Sequence, residues 1–204
     1  MIVVVDYGMG NLGTVAAKIK KMDSSVVITS KEEEISRADK IILPGVGSFK
    51  AGMENLRKRN LIPVLDKKVI QEKTPILGIC LGMQLFTKKS EEGFVDGLGW
   101  IDAETIRFRF QDNQNRLKIP HMGWNTITIH HPHPILRDLG DQPRFYFVHS
   151  YHARCENPEN IAALTEYGYP FHSVITRENI TGVQFHPERS HKFGMKILKN
   201  FIEG

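Results

Sequence analysis

The first 80 residues alternate short, almost wholly apolar runs with longer amphipathic stretches, and that rhythm leaves few architectures open. IVVVD (2–6), VVIT (26–29), KIILP (40–44) and PILGI (75–79) are rich in β-branched residues and end in turn chemistry, as strands buried on both faces do. Between them the pattern predicts helices. Asn11 caps one that reaches about Lys21, and Ser48 caps one that begins near Lys50 and takes in Met53, Leu56 and Leu61. Residues 63–71 and 81–88 supply two more. Strand, helix, strand in this order predicts an α/β fold with a parallel sheet covered on both faces.

From about Trp100 the pattern changes. ETIRFRF (104–110), WNTITIH (124–130), RFYFVHSYHARC (144–155), IAALTEY (161–167), FHSVIT (171–176) and ITGVQF (180–185) read as strands, several with the period-two alternation of half-solvated antiparallel pairs. This half is expected to extend the sheet antiparallel rather than form a second domain. QDNQN (111–115) and HHPHP (130–134) read as loops, and KFGMKILKNFIEG (192–204) as a closing amphipathic helix. A length of 204 residues at 41% hydrophobic composition fits one core, so residues 1–204 are expected to be a single unit.

Composition excludes several classes. The net charge of +4 comes from scattered groups such as Lys18, Lys20, Lys21 and Arg57, Lys58, Arg59, which read as solvated helix faces, so no nucleic-acid partner is expected. Two cysteines, Cys80 and Cys155, make no disulfide framework, and MIVVVDYG is too short and too soon interrupted by Asp6 for a signal peptide or a membrane span. A cytoplasmic protein without a membrane partner is expected.

Four motifs carry chemistry. Gly8, Gly10 and Gly13 spell GxGxxG after a strand, but the second strand ends in Thr29, Ser30 and Lys31 without the acidic ribose partner, so a tight turn against a neighbour is favoured over a dinucleotide site. PGVGSF (44–49) is no phosphate loop; it reads equally as a plain turn or as one whose amides face an anion. GICLG (78–82) has the form G-x-nucleophile-x-G at a strand-to-helix junction. That placement projects Cys80 from the carboxyl edge of the sheet, with a helix N-terminus favouring its thiolate and the Leu81 amide free for an oxyanion; a buried structural cysteine is the plainer alternative. Finally, GVQFHPE (182–188) ends a strand in His186, fixes the exit with Pro187 and places Glu188 two residues on, within reach of the imidazole. HHPHP lacks a cysteine or carboxylate pair at ligand spacing, so no metal is expected.

GICLGMQ (78–84) together with GVQFHPERS (182–190) resembles the class I, or triad, glutamine amidotransferases. DYGMGNLGTV, PGVGSF, IPHMGWN and YFVHSY are similar to the branch that forms glutaminase subunits of imidazole glycerol phosphate synthases, and these blocks span residues 5–190. The resemblance implies a flavodoxin-like fold and a catalytic triad of Cys80, His186 and Glu188, with no cofactor. It implies an oxyanion hole from the Val46 and Leu81 amides, and L-glutamine contacts from Gly47, Gln84, Ser150 and Tyr151. It also implies a partner, a (β/α)8-barrel cyclase subunit that consumes the ammonia in L-histidine biosynthesis, with Asn11, Tyr146 and Arg189 near the interface. Arg189 stands where the family usually has Lys, which keeps the charge and changes the hydrogen-bond geometry. Paralogous pairs that amidate sugars for surface glycans are a second expectation. A nucleotide-binding module with a structural Cys80, or a protease on the same fold, are the rivals outside it.

Overall fold

The computed structural model describes residues 1–111 and 117–204, so residues 112–115 of the expected QDNQN loop lie outside the described residues. The four apolar runs form β1 (Ile2–Val5), β2 (Val26–Thr29), β3 (Lys40–Gly45) and β4 (Ile76–Cys80), parallel in the order β2-β1-β3-β4. They are joined through α1 (Leu12–Lys20), α2 (Glu32–Ser36), α3 (Phe49–Lys58) and α4 (Ile62–Asp66), and β4 runs directly into α5 (Leu81–Leu85). Alternate strand residues feed two cores. Val3, Val5, Ile41 and Leu43 meet Phe49, Met53 and Leu56 of α3 on one face, while Val4, Ile42, Leu77 and Ile79 share the other with Val15 and Ile19 of α1. Full burial of each such side chain contributes roughly 1.5–3 kcal/mol.

Several local expectations change. The Asn11 side chain makes no capping bond; its amide is used elsewhere, as described below. Ser48 does cap α3, accepting from the Ala51 amide at 3.3 Å, but the helix ends at Lys58, and Asn60 takes a positive φ of 53°. Leu61 therefore starts the next turn, still buried. Helix α2 escaped the reading because EEEIS is short and offers one buried apolar residue, Ile35, too few to show a period.

The second half adds β5 (Lys89–Ser90), β6 (Val95–Asp96), β7 (Ala103–Arg107), β8 (His121–Thr126), β9 (Thr128–Ile129), β10 (Arg144–His149), β11 (Tyr151–Cys155), β12 (Ile161–Glu166), β13 (Pro170–Arg177), β14 (Ile180–Val183) and the closing helix α6 (His191–Glu203). The main sheet runs β2-β1-β3-β4-β14-β13-β11-β7-β5-β6, with β12 beside β13 and β9 beside β12. An antiparallel extension exists, but β14 belongs to the parallel part: it pairs parallel with β4, Val183 opposite Ile79, and antiparallel with β13. All four β14 residues are buried, the continuous pattern of an interior strand rather than an alternating one. The run 144–155 also divides. It breaks at Ser150, sending β11 into the main sheet while β10 pairs with β8 in a separate two-stranded ribbon. HHPHP leads into a short turn at Pro134–Leu136, where the His133 ring accepts from the Ile135 amide.

Candidate active site

Cys80 is the last residue of β4, and the chain turns on it into α5 with φ 54° and ψ −108°. This is a conformation L-residues rarely take, of the kind held at functional turns by the surrounding packing. The flanking glycines let that packing close. A Cβ on Gly82 would stand 1.7 Å from the Leu43 carbonyl oxygen, and one on Gly78 would stand 2.5 Å from the Phe86 ring. The strain thus sits on the cysteine, and the glycines allow α5 to press against the sheet. The sulfur does not project into solvent, contrary to the expectation from the turn. Cys80 is 6% exposed. It lies in the wall of a cavity of about 310 Å³. The sulfur lies 3.9 Å from the Val148 carbonyl oxygen and receives the Gln184 amide at 3.6 Å.

Because β14 lies beside β4, the chain leaving β14 delivers His186 to the same cavity. Its Nδ1 donates to Glu188 Oε1 at 2.9 Å, and the same oxygen accepts from Asn11 Nδ2 at 3.1 Å. His186 Nε2 is buried and finds no partner of good hydrogen-bond geometry among the described residues. Burial opposes protonation of His186, but the Cys80 sulfur and the Glu188 carboxylate outweigh it and raise its pKa to about 10. For Glu188, burial favours the neutral acid, yet the bonds from His186 and Asn11 prevail and hold its pKa below the ordinary value. The backbone is fixed as well: the His186 amide donates to the Tyr146 carbonyl at 2.9 Å, and Ser190 Oγ donates to the His186 carbonyl at 2.6 Å while accepting from the Tyr146 amide at 3.0 Å.

Val46, Gly47, Leu81, Gln84, Ser150 and Tyr151 line this cavity with Cys80 and His186. Gln84 Nε2 donates to the Tyr151 carbonyl at 2.9 Å and to Gln184 Oε1 at 3.1 Å, which ties α5 to β11 and β14. Glu188 and Asn11 stand behind His186 rather than in the cavity wall. Tyr146 and Arg189 lie outside it too, the guanidinium 6.0 Å from the Tyr146 ring centre. Sequence reasoning missed Glu92, Pro120, Val148 and His149, which also line the cavity, and Gln184 beneath the sulfur. An acidic residue in SEEG reads as solvated, and Gln184 reads as one more strand position; neither carried a signal. The GxGxxG turn is occupied by protein: a Cβ on Gly10, at φ 102°, would stand 3.0 Å from the Pro44 carbonyl oxygen. The turn therefore packs on PGVG, where a pyrophosphate would need room. Among the described residues no group of three or more His, Cys, Asp or Glu side chains is arranged to hold a metal ion.

A strained cysteine and a histidine on one cavity, with a carboxylate holding the histidine from behind, suit acyl transfer. The family described as glutamine amidotransferase class-I matches residues 3–204. The chain belongs to that family.

Amidotransferases of similar sequence include "imidazole glycerol phosphate synthase subunit HisH 2" of Methanococcus maripaludis, 53% identical over 203 residues, covering 100% of this chain and 99% of that one. The protein of the same description in Pseudomonas aeruginosa is 46% identical, again covering 100% and 99%. Among solved structures, a glutamine amidotransferase superposes with a TM-score of 0.72 at 16% identity, covering 100% of this chain and 98% of the other. PurLQS from Thermotoga maritima superposes with a TM-score of 0.68 at 16% identity, covering 99% and 97%. These likenesses in shape establish the fold as that of the amidotransferase family, a mostly parallel central sheet between helices.

Proposed function

We propose that this amidotransferase is the glutaminase subunit of an imidazole glycerol phosphate synthase, releasing ammonia from L-glutamine for a cyclase partner in histidine biosynthesis. The observation that carries the reading is Cys80 and His186 lining one cavity with Glu188 behind the imidazole, on a chain 53% identical to a subunit of that name over its whole length.

The chemistry follows from the groups present. Cys80 Sγ attacks the carboxamide carbon of glutamine, forming a C–S bond while the carbonyl oxygen takes up negative charge against the Leu81 and Val46 amides. His186 holds its proton through neutral pH, given its raised pKa, and passes it to the departing nitrogen as the C–N bond breaks. Water then adds to the thioester carbon, giving its proton to the now neutral imidazole; the C–S bond breaks, glutamate leaves, and Sγ departs as the thiolate beside the reprotonated His186. Glu188 keeps Nδ1 protonated and the ring aligned. In this reading Gly47, Gln84, Ser150 and Tyr151, which line the cavity, contact the glutamine, and the Glu92 carboxylate of the same wall suits its α-ammonium.

Ammonia released into neutral water protonates and loses its nucleophilicity, so it serves synthesis only when handed over under cover. We place the partner, a (β/α)8 barrel, against the face where Tyr146, Arg189 and Asn11 gather. Met122 (62% exposed) and Trp124 (42% exposed) present bare apolar surface beside Tyr146, which supports a docking role there. Residues 1–204 act as one catalytic unit in this reading. Both cysteines are free, as suits a reducing cytoplasm. Among the described residues, no helix is long and apolar enough to cross a membrane.

A second reading has an observation of its own. Arg189, where the resembled branch usually has Lys, stands against Tyr146 on the face given to the partner, and a changed contact there suits another acceptor, such as a sugar in surface-glycan synthesis. Complementation separates the two. Expressed with a matching barrel in a histidine auxotroph lacking its own glutaminase subunit, the chain should restore growth without histidine. Soluble, paired expression without growth would favour the other acceptor.

A further inference from the structure

The peptide that carries Ser150 and Tyr151 sits where β10 leaves its ribbon and β11 joins the main sheet, so neither ladder alone fixes it. Beneath it stand two buried histidines that the reaction does not use directly. His149 Nδ1 lies 2.7 Å from the Tyr151 carbonyl oxygen, and its Nε2 lies 3.0 Å from His121 Nδ1. Behind them Asn125 Nδ2 lies 3.3 Å from His121 Nε2 and 2.9 Å from the Glu166 carbonyl. Asn125 Oδ1 accepts from the Thr126 amide at 2.8 Å.

The donor and acceptor inventory permits one proton arrangement for two neutral rings. A carbonyl only accepts, so His149 must carry its proton on Nδ1, which leaves Nε2 as an acceptor. His121 must then donate from Nδ1, leaving its own Nε2 to accept from Asn125, whose two amide hydrogens serve His121 and Glu166. Both imidazoles are thereby fixed as Nδ1–H tautomers. Neutrality follows from the surroundings: His121 stacks on Tyr167 at 4.0 Å and on Phe147 at 4.9 Å between ring centres, and Phe108 and Phe171 crowd His149 at 5.2 and 5.1 Å. Burial holds the pKa of both rings below the ordinary value, and the neighbouring His152 and His186 further disfavour a charge on His149.

The Tyr151 carbonyl also accepts from Gln84 Nε2, so both its lone pairs are engaged, and Gln84 leads through Gln184 to the Cys80 sulfur. One chain of hydrogen bonds thus joins β8 to the nucleophile. We propose that the His121–His149 pair, braced by Asn125, is a neutral, proton-ordered strut that positions the Ser150–Tyr151 end of the glutamine pocket. The inference rests on the glutaminase reading for what the pocket holds, but the proton order stands apart from it. His121 and Asn125 are positioning residues; neither lines the cavity.

Two measurements test it. Imidazole nitrogen NMR of the full chain at neutral pH should show both His121 and His149 as Nδ1–H tautomers. An Nε2–H form of either ring, or a protonated ring, overturns the strut. Kinetics of the complex with its partner then read the consequence. His121→Phe keeps the ring stacking and deletes the donor, and should raise KM for glutamine about tenfold with kcat changed by less than about threefold. Alkylation of Cys80 by iodoacetamide, which needs no glutamine contact, should keep its rate. His121→Asn, whose Nδ2 can stand where Nδ1 stood, should bring KM back to within about threefold of the parent. An unchanged KM in a folded His121→Phe protein, or equal damage from both variants, overturns the positioning role. If the Phe variant does not fold, the Asn variant and the tautomers still decide. Failure of the glutaminase reading is visible separately, as absent glutamate release by the parent complex.

Discussion

Glu188 keeps its charge in a buried setting with the help of two donors that converge on one of its oxygens, His186 Nδ1 at 2.9 Å and Asn11 Nδ2 at 3.1 Å. Glu188→Gln removes the charge with little change of size, so the imidazole loses the partner that stabilises its cation and its fixed tautomer. Glutamate release should fall about 100-fold or more, with the surviving activity showing a His186 pKa shifted downward in its pH profile. Activity within about threefold of the parent would contradict the role. Asn11→Ala leaves the carboxylate with His186 alone and should cost less, about three- to tenfold, read in the same assay. HPE announced the pairing in the sequence, since two residues of spacing put the groups in reach. Asn11, by contrast, read as a helix cap, because nothing local reveals that a residue 177 positions away supplies a better acceptor.

At the scale of elements, β1, β3 and β4 were legible because interior strands bury almost every residue and write that into composition, whereas VVIT, of the same composition, is the edge strand β2, which leaves Ile28 exposed rather than buried as expected. Strand β14 has the interior character but follows a series of alternating strands, so its neighbourhood misassigned it. Its pairing with β4 is a long-range choice that brings HPE to GIC. The break at Ser150 was equally silent, because RFYFVHSYHARC is continuous in strand propensity while its halves serve different sheets. The glycines around Cys80 let α5 close on the sheet, Gly82 against the Leu43 carbonyl of β3 and Gly78 of β4 against Met83 and Phe86. Gly82→Ala would drive a Cβ to 1.7 Å from the Leu43 carbonyl oxygen, and the backbone must shift to admit it. Urea denaturation should register a loss of about 1–3 kcal/mol or more. A midpoint equal to the parent's would show that the junction is looser than described.

Across the whole molecule, buried histidines make stability depend on acid. Burial lowers the pKa of His121 and of His152 to about 4, and lowers that of His149 well below its ordinary value. The unfolded chain protonates these rings near 6.5. Between 6.5 and about 4 the unfolded state binds more protons than the folded one, so this contribution is complete above pH 6.5 and is lost as pH falls through that window. The urea midpoint should drop steadily from pH 7 to 4.5, and His121→Phe should flatten the slope; equal slopes would contradict the account. The central claim is more direct: one strained cysteine does the chemistry, and the chain exists to feed ammonia to a partner. It is tested by assaying Cys80→Ala in complex with its cyclase partner subunit, with glutamine and with ammonium salt as nitrogen source. The variant should release no glutamate from glutamine while the partner's ammonium-dependent synthesis stays at the parent rate; glutamate release persisting in Cys80→Ala would overturn the assignment.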